Sequence, residues 1–350
     1  MNRYKSLFTA LAAVVLGLLA GAVFMALSGS NPLAGFYYLF RGGLMNMERI
    51  GNTLASATTL VFTGLAVAFS FKTGLFNIGA SGQMLMGGLT ATAIGLSIQM
   101  PRYVLLPLIV LAAAAAGALW AAIPGYLKAK FNVHEVVATI MMNWIAYWTV
   151  YYTIPAYFKG AFLETESRRI PALASFRVEW LTNIFLGSYI NMGVFLALAA
   201  VIIISIILDK TTLGFELKAV GFNRHAAEYA GIHVPRNIIA SLGISGSLAG
   251  LAGATYYLGY AVNMQIGVLP AAGFDGIAVA LFGANSPWGV AASSVFFGIL
   301  HSGKGFMNAM TKVPPEIGDT IIAIIIYFAA TGVLFTRIWE RLMRKPNKEA

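Results

Sequence analysis

The stretch GLAVAFSFKTGLFNIGASGQ, Gly64 to Gln83, is an apolar run, a glycine-punctuated polar break, and the start of a second apolar run. The runs on either side, 50–71 and 78–98, are each long enough to cross a bilayer as a helix, which takes roughly 20 apolar residues. Six more runs of this kind lie outward along the chain: 7–27, 103–127, 136–158, 190–208, 238–262 and 317–335. Two shorter pieces, 274–284 and 290–301, flank the turn-rich Asn285-Ser286-Pro287-Trp288-Gly289. They read as two tilted spans or as a re-entrant hairpin. Counted as two, they bring the total to about ten crossings. The first run follows Arg3 and Lys5 but exceeds the length of a signal-peptide core, so an uncleaved helix is expected.

Composition agrees. Of 350 residues, 59% are hydrophobic and 10% charged, against roughly 25% charged in a soluble domain. A soluble enzyme, a secreted disulfide scaffold and a disordered chain are all excluded, leaving an all-α integral membrane protein. The absence of cysteine removes disulfides and thiolate chemistry. The net charge of +10 reflects membrane sidedness rather than nucleic-acid binding, because basic residues gather on cytoplasmic loops. With the N-terminus inside, Arg3, Lys5, Lys72, Lys128, Lys130, Lys210, Lys218, Arg224, Arg236 and the tail residues Arg337, Arg341, Arg344, Lys345 and Lys348 all face the cytoplasm. Both termini are therefore expected there. Two polar segments stand out by length, 159–189 outside and 209–237 inside, within one membrane domain covering 1–350.

The spans lack chemistry of several kinds. No Asp or Glu falls mid-span; Glu135, Asp275, Glu316 and Asp319 sit at ends. Intramembrane carboxylates mark proton relays and ion pathways, so the solute is expected to be uncharged and proton-driven pumping is disfavoured. His134, His225, His233 and His301 are scattered, without metal-ligand spacing. Gly298 to Gly305, GILHSGKG, nearly spells a phosphate loop, but Gly305 replaces the magnesium-binding hydroxyl and the flanks are apolar. Any ATP is bound by another polypeptide, and this chain carries no cofactor or metal.

Three segments carry information. In the first, Asn77, Gly79, Gly82 and Gln83 place neutral amides and close backbone beside a span, as Asn143 does elsewhere. Such amides serve either a neutral polar solute or helix-to-helix adhesion; Asn77, Gly79, Gly82, Gln83 and Asn143 are the expected substrate-pathway residues. The second, Gly276-Ile277-Ala278-Val279-Ala280, echoes Gly64-Leu65-Ala66-Val67-Ala68 and raises an internal repeat, common in transporters. In the third, Asn223 is a candidate N-cap, Gly231 a helix stop and Pro235 a barrier. The intervening two turns, Arg224 to Ala230, offer Ala226, Ala227, Tyr229 and Ala230 as a small flat surface, with Arg224 and Glu228 four apart. So short a helix is marginal alone and docks on its own bundle, on the membrane surface or on a partner. Trp144, Tyr147, Trp148, Tyr151 and Tyr152 fit an interfacial belt better than a base-stacking site.

Together, GLAVAFSFKTGLFNIGASGQ, the loop GFNRHAAEYAGI (Gly221 to Ile232) and GFDGIAVALFGANSPWG (Gly273 to Gly289) resemble the membrane permease subunits of ATP-binding cassette importers. The likeness is to the ribose-permease-like branch and, within it, to permeases of bacterial nucleoside uptake systems. It runs from about Asn31 to Phe335. It implies a type II-like permease in the bacterial cytoplasmic membrane that passes a neutral nucleoside or related small sugar inward without covalent chemistry. It also implies a second permease subunit, a paralogue, with two ABC ATPase subunits below and a substrate-binding lipoprotein outside. The resemblance makes Asn223 to Gly231 the ATPase-coupling segment and 159–189 the surface met by the receptor. Such permeases usually carry Glu where this chain has Ser81. The competing class, a stand-alone sodium-coupled transporter, leaves the short cytoplasmic helix without a purpose.

Overall fold

The computed structural model describes residues 3–161 and 163–330, and among them the secondary structure is fourteen α-helices, two π-helical turns and isolated β-bridges. The chain forms two compact units: Met1–Gly43 with Ile299–Ala350, and Leu44–Gly298. The expected cytoplasmic tail residues Arg337, Arg341, Arg344, Lys345 and Lys348, and the end of the 317–335 run, lie outside the described residues.

In the first unit, α1 (Arg3–Leu27) packs along α14 (Pro315–Ala330). Gly17 and Gly21, four apart, make this possible: a Cβ on either would collide with Ile325 or Ile321 respectively. Small residues at that spacing let helix backbones approach, which drives association where lipid is as apolar as the side chains. A short helix, α2 (Pro32–Leu44), joins this unit through Gly42 against Phe306 and through Leu39 against Gly303.

The second unit is built around α11 (Val234–Thr255), which continues as a π turn over Tyr256–Tyr260. Against it pack α3 (Met47–Lys72), α4 (Ala80–Ser97) and α5 (Arg102–Phe131). The glycines of α11 again set the distances: Gly246 and Gly250 meet Gly117 of α5, Gly250 also meets Gly87, and Gly253 meets the Met84 carbonyl of α4. Around this centre lie α6 (Glu135–Thr153), extended by a π turn over Ile154–Phe158, then α7 (Glu179–Ile184) and α8 (Gly193–Lys210). Next come α9 (Thr212–Phe222), α10 (Arg224–Tyr229) and α12 (Ala271–Phe282). Helix α13 (Pro287–Thr311) begins in this unit.

Each expected run contains a helix, which falls short of the described ends of the run by at most three residues: α4 begins at Ala80, α8 at Gly193, and the π turn after α11 ends at Tyr260. By length and composition, Met47–Lys72, Arg102–Phe131, Gly193–Lys210 and Val234–Tyr260 are long and apolar enough to cross a membrane. The 274–301 pair differs from the expectation of two short pieces. Helix α12 has 12 residues, but α13 runs for 25, ten beyond His301. At 1.5 Å per residue α12 covers only about 18 Å while α13 covers about 37 Å, so a half-length helix is followed by a full-length one. Residues 159–189, expected as a polar loop, fold into a cap on the end of α11. Antiparallel bridges join Lys159 to Ser167 and Glu166 to Gln265. The Phe176 N–H donates to the Leu258 carbonyl at 3.0 Å, and the Arg177 guanidinium donates to the Gly259 and Tyr260 carbonyls at 2.6 Å each.

Candidate functional site

Helix α3 stops at Lys72 because Thr73 caps it and Gly74 turns the chain with φ +69°, a left-handed conformation that suits glycine. The polar residues beyond are drawn inward. Asn77 is wholly buried; its amide nitrogen donates to Ser245 Oγ at 2.8 Å and to Gln83 Oε1 at 3.0 Å. Its oxygen accepts from the Gly79 N–H at 2.9 Å and from Gln83 Nε2 at 3.1 Å. Ser245, on α11, in turn donates to the Ala66 carbonyl of α3 at 2.6 Å. From α6, Asn143 accepts from the Gly82 N–H at 2.8 Å and donates to the Ile78 carbonyl at 3.0 Å.

The five residues expected to serve a solute, Asn77, Gly79, Gly82, Gln83 and Asn143, thus come together as one cluster joining α3, α4, α6 and α11. Both protons and the oxygen of Asn77 are spent within it. Gly79 and Gly82 are where backbone meets amide: a Cβ on Gly82 would lie 2.8 Å from the Asn143 Cα, and one on Gly79 would lie 2.9 Å from Gln83 Nε2. Ser241 and Ser245 were missed by sequence reasoning. Their signal is two hydroxyls four apart on one face of an apolar run, Ser241 accepting from Thr73 Oγ1 at 2.7 Å.

Ser81 is also buried, donating to the Pro270 carbonyl at 2.9 Å, with Gly273 against its backbone. A side chain at 273 would collide with Ser81, so α12 and α4 meet closely here. The two Gly-x-Ala-Val-Ala segments lie on α3 and α12, and these helices pack on one another: a Cβ on Gly276 would sit 2.7 Å from the Thr63 carbonyl carbon.

The 209–237 segment holds α9 and α10. Asn223 caps α10 as expected, accepting from the Ala226 N–H at 3.1 Å. Gly231 ends it at φ +80°, with Gly231 N–H bonded to Glu228 O at 2.9 Å and Ile232 N–H to Ala227 O at 3.0 Å, the paired bonds of a Schellman stop. One expectation is corrected. Ala227 is 4% exposed and faces the protein's own bundle, because α10 rests on α9 and α11. The outward surface includes His225, Ala226, Glu228, Tyr229 and Ala230, with Arg224 half-buried. It also includes Phe222, not singled out from sequence; Phe222 and Tyr229 are each 96% exposed. Lys218 pairs with Asp209 at 2.9 Å, and Asn237 Nδ2 donates to Glu216 at 2.8 Å, tying α9 to its neighbours.

On the cap formed by 159–189, the Arg177 guanidinium lies 4.9 Å from the centre of the Tyr189 ring. Burial pushes its pKa below the ordinary arginine value. The Lys159 ammonium, hydrogen-bonded to Glu164, holds that carboxyl below the usual carboxylate range. On α6, Trp144, Trp148, Tyr151 and Tyr152 project outward, whereas Tyr147 is half-buried and packs on the core. That arrangement fits a belt.

Residues 49–330 match the family described as the branched-chain amino acid transport system, permease component. The chain is 42% identical to the guanosine ABC transporter permease protein NupP of Bacillus subtilis, over 99% of each chain. It is 40% identical to the nucleoside ABC transporter permease protein NupB of Lactococcus lactis, over 94% of this chain and 92% of that one. It is also 30% identical to a second Bacillus subtilis protein, the guanosine ABC transporter permease protein NupQ, over 71% of this chain and 79% of that one. No solved structure matches.

Proposed function

Since the chain belongs to the family of branched-chain amino acid transport system permease components, we propose that it forms the pathway of an ATP-driven importer for a neutral nucleoside. It is a transport subunit and not an enzyme. The similarity to a guanosine permease over 99% of both chains carries the reading. Family membership sets aside the stand-alone sodium-coupled transporter, since an ABC permease works with ATPase subunits and a binding protein.

The finer assignments are ours. The chain crosses the bacterial cytoplasmic membrane about ten times, α12 and α13 counted as two crossings. Both termini and 209–237 are cytoplasmic, 159–189 faces outward, and 1–350 works as one permease domain. The second permease subunit is a paralogue, a reading supported by similarity to two guanosine permease proteins of one organism at very different levels. The segment Asn223 to Gly231 docks on the ATPase, with Tyr229 and Phe222 as its anchors. Asn77, Gly79, Gly82, Gln83 and Asn143 serve the pathway from behind its wall, holding the α3–α4 break in shape. The closed hydrogen bonding of Asn77 supports this role over direct contact with solute.

Labelled guanosine, other nucleosides, ribose and glucose, offered to vesicles containing the whole complex, test the reading. ATP-dependent and receptor-dependent uptake of nucleosides is expected. Uptake of sugars with no nucleoside uptake would overturn it.

A further inference from the structure

The end of α9 rests directly on the break that holds the amide cluster. A Cβ on Gly221 would collide with the Lys72 carbonyl oxygen and lie 3.0 Å from the Gly74 nitrogen; one on Gly74 would lie 3.3 Å from the Gly221 oxygen. The contact is backbone on backbone, with no side chain between. On one side of it, only Phe222 and Asn223 separate Gly221 from α10. On the other side, Thr73 Oγ1 donates to Ser241 Oγ at 2.7 Å, and one helical turn along α11 Ser245 Oγ accepts from Asn77 at 2.8 Å. A second tie, Asn237 to Glu216 at 2.8 Å, fixes α9 to α11.

We propose that the Gly221–Gly74 contact is the joint through which movement of the α9–α10 segment reaches the buried amide cluster, making both glycines positioning residues of transport. The proposal rests on the reading that α10 docks on the ATPase. Both glycines are solvent-accessible, and what links the two segments there is the direct approach of one backbone to the other. Flexible side chains at a joint absorb motion by changing rotamer, and two glycines have none to change. The exposed rings of Phe222 and Tyr229 lie on the free side of this joint, at the ends of α9 and α10. A push on them has a backbone route inward to the cluster, through the α3 terminus to Thr73, Ser241, Ser245 and Asn77.

The test uses the reconstituted complex of both permeases, ATPase subunits and receptor. Its readouts are ATPase co-purification, basal hydrolysis, stimulation by nucleoside-loaded receptor, and uptake. Gly221→Ala is expected to keep co-purification and basal hydrolysis, while stimulation and uptake fall about fivefold or more, the lower end of typical coupling energies. Gly243→Ala, a helix glycine with open space around it, is expected to match the parent. Full stimulation and uptake with Gly221→Ala overturns the joint. Should Gly221→Ala not accumulate, Gly74→Ala is compared with Gly29→Ala. Both carry left-handed strain, at φ +69° and +75°, but only Gly74 faces another backbone. Loss of stimulation at Gly74 alone supports the joint, and equal behaviour of the pair overturns it. Tyr229→Ala separates the two layers of the argument. Full co-purification and stimulation with Tyr229→Ala overturns the docking reading, whereas loss with Tyr229→Ala beside full function with Gly221→Ala overturns the joint alone.

Discussion

Gly64 of α3 and Val279 of α12 lie so close that a Cβ on the glycine would come 2.7 Å from Val279 Cγ1. Val290 of α13 closes the same pocket at 2.9 Å. The two Gly-x-Ala-Val-Ala segments are therefore packing partners. Gly64→Ala is expected to destabilise the protein by about 1–3 kcal/mol, the usual cost of overpacking. Gly64→Ala with Val279→Ala should recover part of the loss, because the opposing methyl is gone. Thermal unfolding in detergent measures both; a double variant no more stable than the single would mean the strain lies elsewhere.

Asn77→Ala would orphan the Gln83 amide and the Gly79 N–H together. Each buried polar group left unpaired costs about 1–3 kcal/mol. The expected outcome is a sharp fall in assembled complex, with the apparent KM for nucleoside unchanged in the fraction that assembles. A raised KM with normal assembly would place Asn77 in contact with the solute.

Tyr229 contributes almost nothing to the chain's own fold at 96% exposure. Tyr229→Ala should leave the melting temperature of the isolated permease within error and weaken ATPase binding by about 2 kcal/mol, as aromatic anchors do. Ala227→Trp behaves oppositely, lifting α10 off its bundle and lowering thermal stability. These variants separate the outward face of the segment from its inward face.

Sidedness is testable because the chain has no cysteine to remove. Ala172→Cys and Thr212→Cys are both on exposed positions. An impermeant maleimide added outside intact cells should label 172 and spare 212. Labelling at 212 would reverse the topology.

No carboxylate lies in the middle of any apolar run, so the pathway is expected to carry nucleosides and reject nucleoside monophosphates. Uptake of guanosine monophosphate at a rate comparable to guanosine would contradict that expectation.

What the sequence disclosed follows from the range of each force. The N-cap at Asn223 and the stop at Gly231 depend on bonds within a few residues, and both stand as read. The rotation of α10 depends on what it rests on, so Ala227 looked outward when it is buried. Helix α13 was underestimated because Ser302-Gly303-Lys304-Gly305 reads as punctuation; Gly303 is instead a contact point for Leu39. Helix α2 was hidden for the same reason, since Gly42 and Gly43 pack against Phe306 and Ile299. The amides at 77, 83 and 143 were legible as residues. Their full bonding was not, because Asn143 and Ser245 reach the break from helices distant in the sequence.

The carbonyls at the end of α11 find their donors in the 159–189 segment: Leu258 from Phe176, and Gly259 and Tyr260 from Arg177. A helix end normally turns such groups to water. Here their occupancy makes the cap and the central helix open together or not at all. The Phe176 amide should therefore exchange its hydrogen as slowly as the core, and a protease should find the connection between Ile170 and Arg177 closed to cutting, although it lies outside every helix.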